Sequence, residues 1–139
     1  MIPMLEPVDQ QEAYEMAYHG FELSEKYKLP VLLRVTTRLA HSRAGVQTLE
    51  QKKQNEVSIP SNPTQFVLLP SIARKQYKTL LNIQDAIEKA SEDSKFNKYI
   101  DGSDKSLGII APGIAFNYLM ENFQDKELNH PVLKIGQYP

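Results

Sequence analysis

The stretch Leu29-Pro-Val-Leu-Leu-Arg-Val-Thr36 decides how the chain folds. Pro30 drives the residue before it out of the α region, so any helix arriving here stops. Residues 31–36 then follow as the β-branched and aliphatic run of a buried strand. A helix that feeds straight into such a strand is half of a βαβ unit and predicts α/β architecture with a parallel sheet. Upstream, Asp9 and Glu12 have the spacing of a capping box, which satisfies free amides at a helix start. From there Ala13, Met16, Ala17, Gly20, Phe21, Ser24 and Tyr27 recur at helical spacing, a face small enough to pack closely on a sheet. Glu12, Glu15, Glu22 and Lys26 fall on the other faces. Residues 2–5 form a short apolar run ended by Glu6-Pro7, the expected tail of a preceding strand.

Downstream the pattern weakens. Residues 37–64 turn polar, with Gly45, Pro60 and Pro63. A structureless stretch of that length is uncommon inside a compact domain. It reads as a functional loop plus an interdomain connection, with a short helix expected near residues 47–54. Residues 65–69 read as an extended segment, and Ser71 as the cap of a second helix. That helix carries an apolar stripe of Ala73, Tyr77, Leu80, Leu81, Ile87 and Ala90, and an outer face of Arg74, Lys75, Lys78, Glu88 and Lys89. Residues 107–111 predict a strand, Pro112-Gly113 a tight turn, 114–123 an amphipathic helix and 132–135 another strand. The two βα units predict either two incomplete domains or one small three-layer domain using every strand. In the first case residues 1–43 and 106–139 belong to different sheets, joined through the 71–93 helix. A chain that stops on a strand and turn, with no covering helix, is expected to be a truncated piece.

Composition narrows the function classes. Of 139 residues, 41% are hydrophobic and 24% charged, a globular balance. Sixteen basic and 17 acidic side chains leave a net charge of −1, which gives no general attraction to nucleic acid. No apolar run approaches the roughly 20 residues that span a bilayer. Residues 1–7 lack the pattern of a signal peptide, so the expected address is cytoplasmic. The absence of cysteine excludes disulfides, thiolate cluster ligation and a cysteine nucleophile within these residues.

The richest candidate chemistry is Arg34-Val-Thr-Thr-Arg-Leu-Ala-His-Ser-Arg43, just past the 31–36 strand. Parallel sheets gather ligands beyond the carboxyl ends of their strands. Arg34, Arg38 and Arg43 offer bidentate donors for carboxylate or phosphate. Thr36, Thr37 and Ser42 add hydroxyls, and His41 is able to transfer protons or donate to a carbonyl. The bland reading is a solvated basic loop, or one pairing with acids of a neighbouring subunit. Glu6, Asp9 and Glu12 invite a paired-carboxylate reading, but capping explains Asp9 and Glu12 better. His19, His41 and His130 show no metal-ligand spacing, and no elbow motif surrounds Ser42. Gly108-Ile-Ile-Ala-Pro-Gly113 opens like a phosphate loop, yet Ile114 and Ala115 stand where Lys and Ser or Thr are required. Asp101-Gly102-Ser-Asp104 is too short for an EF-hand. No Gly-Asp-Gly run with a following Asn is present.

Several of these runs together resemble one family. Pro3-Met-Leu-Glu-Pro7, Asp9, Gln11-Glu-Ala13, Met16, Phe21-Glu-Leu-Ser-Glu-Lys26, Leu29-Pro-Val-Leu-Leu-Arg34, Thr36-Thr-Arg38 and His41-Ser-Arg43 are similar to a region of indolepyruvate:ferredoxin oxidoreductase large subunits. Leu107-Gly-Ile-Ile-Ala-Pro-Gly-Ile-Ala-Phe116, Val132-Leu-Lys-Ile-Gly136 and Tyr138-Pro139 resemble a later part of the same subunits. The resemblance covers nearly the whole chain, most specifically residues 1–43 and least 44–64. It implies parts of two thiamine-enzyme-type parallel-sheet domains joined by a linker and helix. Residues 1–60 would be the end of a pyrimidine-binding domain with its trailing loop, 61–105 a connecting strand and helix, and 106–139 the start of a transketolase-C-terminal-like domain. It also implies thiamine diphosphate, magnesium, iron–sulfur clusters and coenzyme A, a small partner subunit, ferredoxin, and oxidative decarboxylation of aryl pyruvates to acyl-CoA. Pyruvate and 2-oxoglutarate ferredoxin oxidoreductases are the next resemblance.

The family's activating glutamate, diphosphate-and-magnesium domain and cysteine clusters fall outside the matched region. The resemblance therefore implies no catalytic residue here and no cofactor held by this chain alone. Thr37, Arg38, His41, Ser42 and Arg43 become candidates for binding substrate or an interface. An isolated chain is expected to be inactive and to self-associate through unpaired strand edges. A non-catalytic binding or assembly module of the same fold is the alternative.

Overall fold

Asp9 begins the main helix as the capping spacing predicts. Its carboxylate accepts from the Glu12 amide at 2.8 Å, starting α1, Gln10–Tyr27. Glu12 reaches back one residue further than a capping box requires, accepting from the Val8 amide at 3.1 Å. The helix ends at Lys28 in the left-handed region, ahead of Pro30. The computed structural model describes residues 1–139, the side chains of Pro63 and Gln65 excepted.

Before α1 lies β1, Met4–Leu5, and after it β2, Leu32–Leu33, with α2, Thr37–His41, following. A 3-10 turn, Pro63–Phe66, leads to α3, Pro70–Asn82, and α4, Gln84–Glu92. Then come β3 (Lys98–Ile100), β4 (Ile109–Pro112), α5 (Ile114–Asn122), β5 (Val132–Ile135) and β6 (Gln137–Tyr138). The strands form two sheets, β2-β1-β6 and β3-β5-β4. In each, one pair is parallel (β1 with β2, β4 with β5) and one antiparallel (β1 with β6, β3 with β5). The architecture is thus mixed α/β with small mixed sheets, which corrects the wholly parallel expectation.

The expected separation of the chain ends also needs correction. β2 and β4 do lie in different sheets, but β6 pairs Tyr138 with Met4 and Gln137 with Leu5. Gly136 makes this crossing possible. A Cβ there would sit 2.9 Å from Met16 Cε and 2.9 Å from the Phe96 carbonyl oxygen. With glycine in place, the strand passes close under the core and the Glu6 amide donates to the Gly136 carbonyl at 2.8 Å.

Leu5, Met16, Leu23 and Phe96 form the core, with Tyr27, Val31 and Leu33 packed against it. Met16, Gly20, Leu23 and Tyr27 make the inward stripe of α1, so Leu23 rather than Phe21 takes the buried place. Phe21 is 76% exposed. Around Gln137, itself 1% exposed, a polar knot locks the crossing. Asn97 Oδ1 accepts from the Gly136 and Gln137 amides at 2.8 and 2.9 Å, and its Nδ2 donates to the Gln137 carbonyl at 2.9 Å. Ser91 Oγ donates to that same carbonyl at 2.8 Å, and Ser94 Oγ donates to Gln137 Oε1 at 2.7 Å. His19 Nε2 lies 3.0 Å from the same amide oxygen.

Other elements differ from their predicted places. Residues 47–54 carry no helix and instead run along α1. The Gln47 amide donates to Gln11 Oε1 at 2.8 Å, the Leu49 amide to Tyr14 Oη at 3.2 Å, and Lys52 pairs with Glu22 at 2.5 Å. A 3-10 turn over Pro63–Phe66 takes in residues 65 and 66, the start of the segment expected to be extended over 65–69. The long middle helix starts at Pro70, which needs no amide partner at N1, and not by a Ser71 cap. It breaks at Ile83, which is both the end of α3 and the cap of α4.

Candidate functional site

The turns that follow β1 and β2 lie together. Thr36 starts α2, its hydroxyl accepting from the Leu39 amide at 3.4 Å, and buried Leu39 anchors the turn. Ser42 closes it, with its amide donating to the Arg38 carbonyl at 3.1 Å and its Oγ to the Leu39 carbonyl at 2.9 Å. Gln10 Nε2, from the first turn of α1, donates to Ser42 Oγ at 2.5 Å. The guanidinium of Arg38 lies over the Tyr118 ring of α5, 5.4 Å from its centroid. Asn117, one residue earlier, donates to the Val8 carbonyl at 2.8 Å and joins α5 to the turn after β1. Between them is a shallow cleft of about 150 Å³, lined by Arg38, Ser42, Gln10, Asn117 and Tyr118 and by two acids, Asp9 and Glu121.

Of the five candidates, the structure brings Arg38 and Ser42 into this cleft. Thr37, His41 and Arg43 lie outside its lining. The Ser42 hydroxyl proton is committed to Leu39 and its oxygen accepts from Gln10, so Ser42 shapes the loop and is not poised as a nucleophile. Asp9 is likewise occupied by the Glu12 amide. Arg38 is left as the exposed cationic donor of the cleft, lying over an aromatic face.

Beneath the cleft sits a buried carboxylate that the capping argument passed over. Glu6 is 5% exposed, pairs with Arg34 through Oε1, and accepts from Tyr138 Oη through Oε2 at 3.1 Å. Arg34 is therefore committed within the chain. Burial first, then the nearby Glu6 carboxylate, pushes the Tyr138 hydroxyl up to about 12. Gly113, at φ 46°, turns β4 into α5 directly against this group, and a Cβ there would meet Glu6 Cγ at 2.5 Å. Glu12 forms a second such tie, pairing with Lys134 of β5, both largely buried. The signal for Glu6 was its place between an apolar run and Pro7, since a buried carboxylate requires partners.

Among the described residues no group of three His, Asp or Glu is able to hold a metal ion. Without cysteine, the donor set does not fit an iron–sulfur cluster. Among the described residues, too, no helix is long and apolar enough to cross a membrane.

No family model matches the chain. Individual proteins do. It is 40% identical over 99% of its length to the indolepyruvate oxidoreductase subunit IorA of Methanothermobacter marburgensis. It is 38% identical over 97% to that of Archaeoglobus fulgidus, and 37% over 97% to that of Pyrococcus abyssi. The chain matches a segment of IorA. It spans 22–23% of the length of these IorA subunits. The IorA-like match includes α1, β2, the cleft and the C-terminal strands alike, since it reaches nearly the whole chain.

Proposed function

We propose that the chain works as part of a thiamine-diphosphate-dependent 2-oxoacid:ferredoxin oxidoreductase of the indolepyruvate type, a cytoplasmic assembly. The observation carrying this reading is the IorA identity of 36–40% along nearly the whole chain. In that setting the chain's own task is recognition, because Arg38 is a cationic donor placed beyond a parallel strand pair. A guanidinium held over Tyr118 presents its free N–H edge to a carboxylate of an aryl pyruvate or a phosphate of coenzyme A. Asn117 keeps a second amide proton for the same anion. Redox and decarboxylation chemistry belongs to thiamine diphosphate, magnesium and clusters held by other residues of the assembly, including a small partner subunit. Ferredoxin is the electron acceptor in this reading.

The test is an exchange. Residues 1–139 replace the matching segment of the M. marburgensis IorA subunit, which is then assembled with its partner. Indolepyruvate-dependent reduction of ferredoxin should survive the exchange, and the isolated chain should show none. An assembled, folded exchange enzyme without activity on any 2-oxoacid would refute the reading.

A further inference from the structure

We infer that α3 and α4 form a self-complementary surface on which a second copy of this chain docks antiparallel. The inference is independent of the oxidoreductase reading. α3 carries Arg74, Lys75 and Lys78 and no acid, whereas α4 carries Asp85, Glu88 and Glu92 against a single cation, Lys89. Among the described residues none of these seven takes part in an intrachain ion pair. All are exposed. A chain that pairs Glu12, Glu15, Glu22 and Asp101 with lysine or histidine partners leaves its most segregated charges unpaired on neighbouring helices.

The spacing makes the segregation meaningful. Arg74, Tyr77, Lys78 and Leu81 recur at i, i+3, i+4 and i+7, so they share one stripe of α3. Asp85, Glu88, Lys89 and Glu92 share one stripe of α4 in the same way, opposite its buried Ile87 and Ser91. Tyr77 is 59% and Leu81 51% exposed, and α3 has no buried residue at all. Because α3 and α4 adjoin at Ile83, a twofold axis there sets the basic α3 of each copy beside the acidic α4 of the other. Exposed Tyr77 and Leu81 of α3 add apolar surface to that contact, Leu81 being nearer the axis. A twofold interface must be complementary to itself, and a stripe that is basic in one half and acidic in the other meets that condition.

Sedimentation of the 139-residue chain reads this directly. In low salt the chain should run as a dimer, weakening towards monomer in about 1 M salt, where the screening length falls to about 3 Å. The pair R74E/K78E should weaken the dimer by roughly ten-fold or more, and so should E88K/E92K, because each turns attraction between the facing helices into repulsion. An equimolar mixture of the two variants should regain a dimer, now mixed. If circular dichroism shows that a reversed variant has not folded, R74Q/K78Q and E88Q/E92Q supply the same readout with a smaller loss. A monomeric parent chain, a dimer indifferent to both pairs of substitutions, or reversed variants that fail to recombine would each overturn the inference.

Discussion

Replacing Glu6 by Gln removes one charge from the point where three chain segments meet. The side chain of Glu6 is 6% exposed and that of Arg34 is 56% exposed. Gln keeps the shape and still offers an oxygen to Tyr138 Oη, so the change isolates the Arg34 pair. A hydrogen bond to a charged group contributes about 1.5–3 kcal/mol. Water already reaches Arg34 and rehydrates it, and a neutral amide is cheaper to bury than a carboxylate, so the expected loss is about 1–2 kcal/mol. With a urea dependence of about 1–3 kcal/mol per molar, the unfolding midpoint should fall by roughly 0.3–2 M. Glu6→Ala should cost about 1–3 kcal/mol more, because it also strands the Tyr138 hydroxyl and opens a cavity beside Gly113. Arg34→Met completes a double-mutant cycle, with an expected coupling of about 1 kcal/mol. Equal midpoints for Glu6→Gln and the parent, with no coupling to Arg34, would refute the argument that Glu6 binds β1 to β2 and the C-terminal strand.

Three further outcomes follow from the packing. Leu23→Ala should lose about 2–5 kcal/mol by chemical unfolding, while Phe21→Ala should change stability by about 0.5 kcal/mol or less. Asn97→Ala leaves the Gly136 and Gln137 amides without their acceptor and should cost about 2–4 kcal/mol in the same assay, with hydrogen exchange accelerated at both amides. Tyr138 is more weakly acidic in the folded chain, so its contribution is complete below pH 10 and is lost as pH rises towards about 12. Ultraviolet titration should show Tyr138 ionising late, and Tyr138→Phe should remove its share of the late absorbance change.

What the sequence discloses follows from how local each cause is. The Asp9 cap, the stop before Pro30, the Pro112-Gly113 turn and the 132–135 strand rest on neighbouring residues, and all are present. The inward stripe of α1 is harder to read. Positions 13-17-21-24 and 16-20-23-27 both satisfy helical spacing, and only contact with Leu5 and Val31 selects the second. β3 gives little signal because Lys98-Tyr-Ile100 is short and mostly exposed, paired through β5 and not through any pattern of its own. β6 depends on Gly136 carrying the strand beneath Met16, a contact distant in sequence. The middle helix reads as one stripe, yet it divides at Ile83. At the site, Arg38 and Ser42 are legible as a polar run beyond a strand. Tyr118 and Asn117 are not, because they come from the helix after β4, some 75 or more residues away in the chain. Arg34 looks like a ligand donor, but its partner Glu6 is hidden in what looks like a capping run.

The role of Arg38 is the point on which the functional account turns, and one substitution reads it. In the IorA subunit carrying residues 1–139 and assembled with its partner, Arg38→Lys keeps the charge but loses the planar fork. Steady-state kinetics should show kcat/KM for the aryl pyruvate or coenzyme A lowered by about 10- to 150-fold, corresponding to about 1.5–3 kcal/mol, with assembly and unfolding midpoint unchanged. Unaltered kcat/KM for both, in an enzyme that assembles normally, would contradict the assignment of Arg38 to anion recognition.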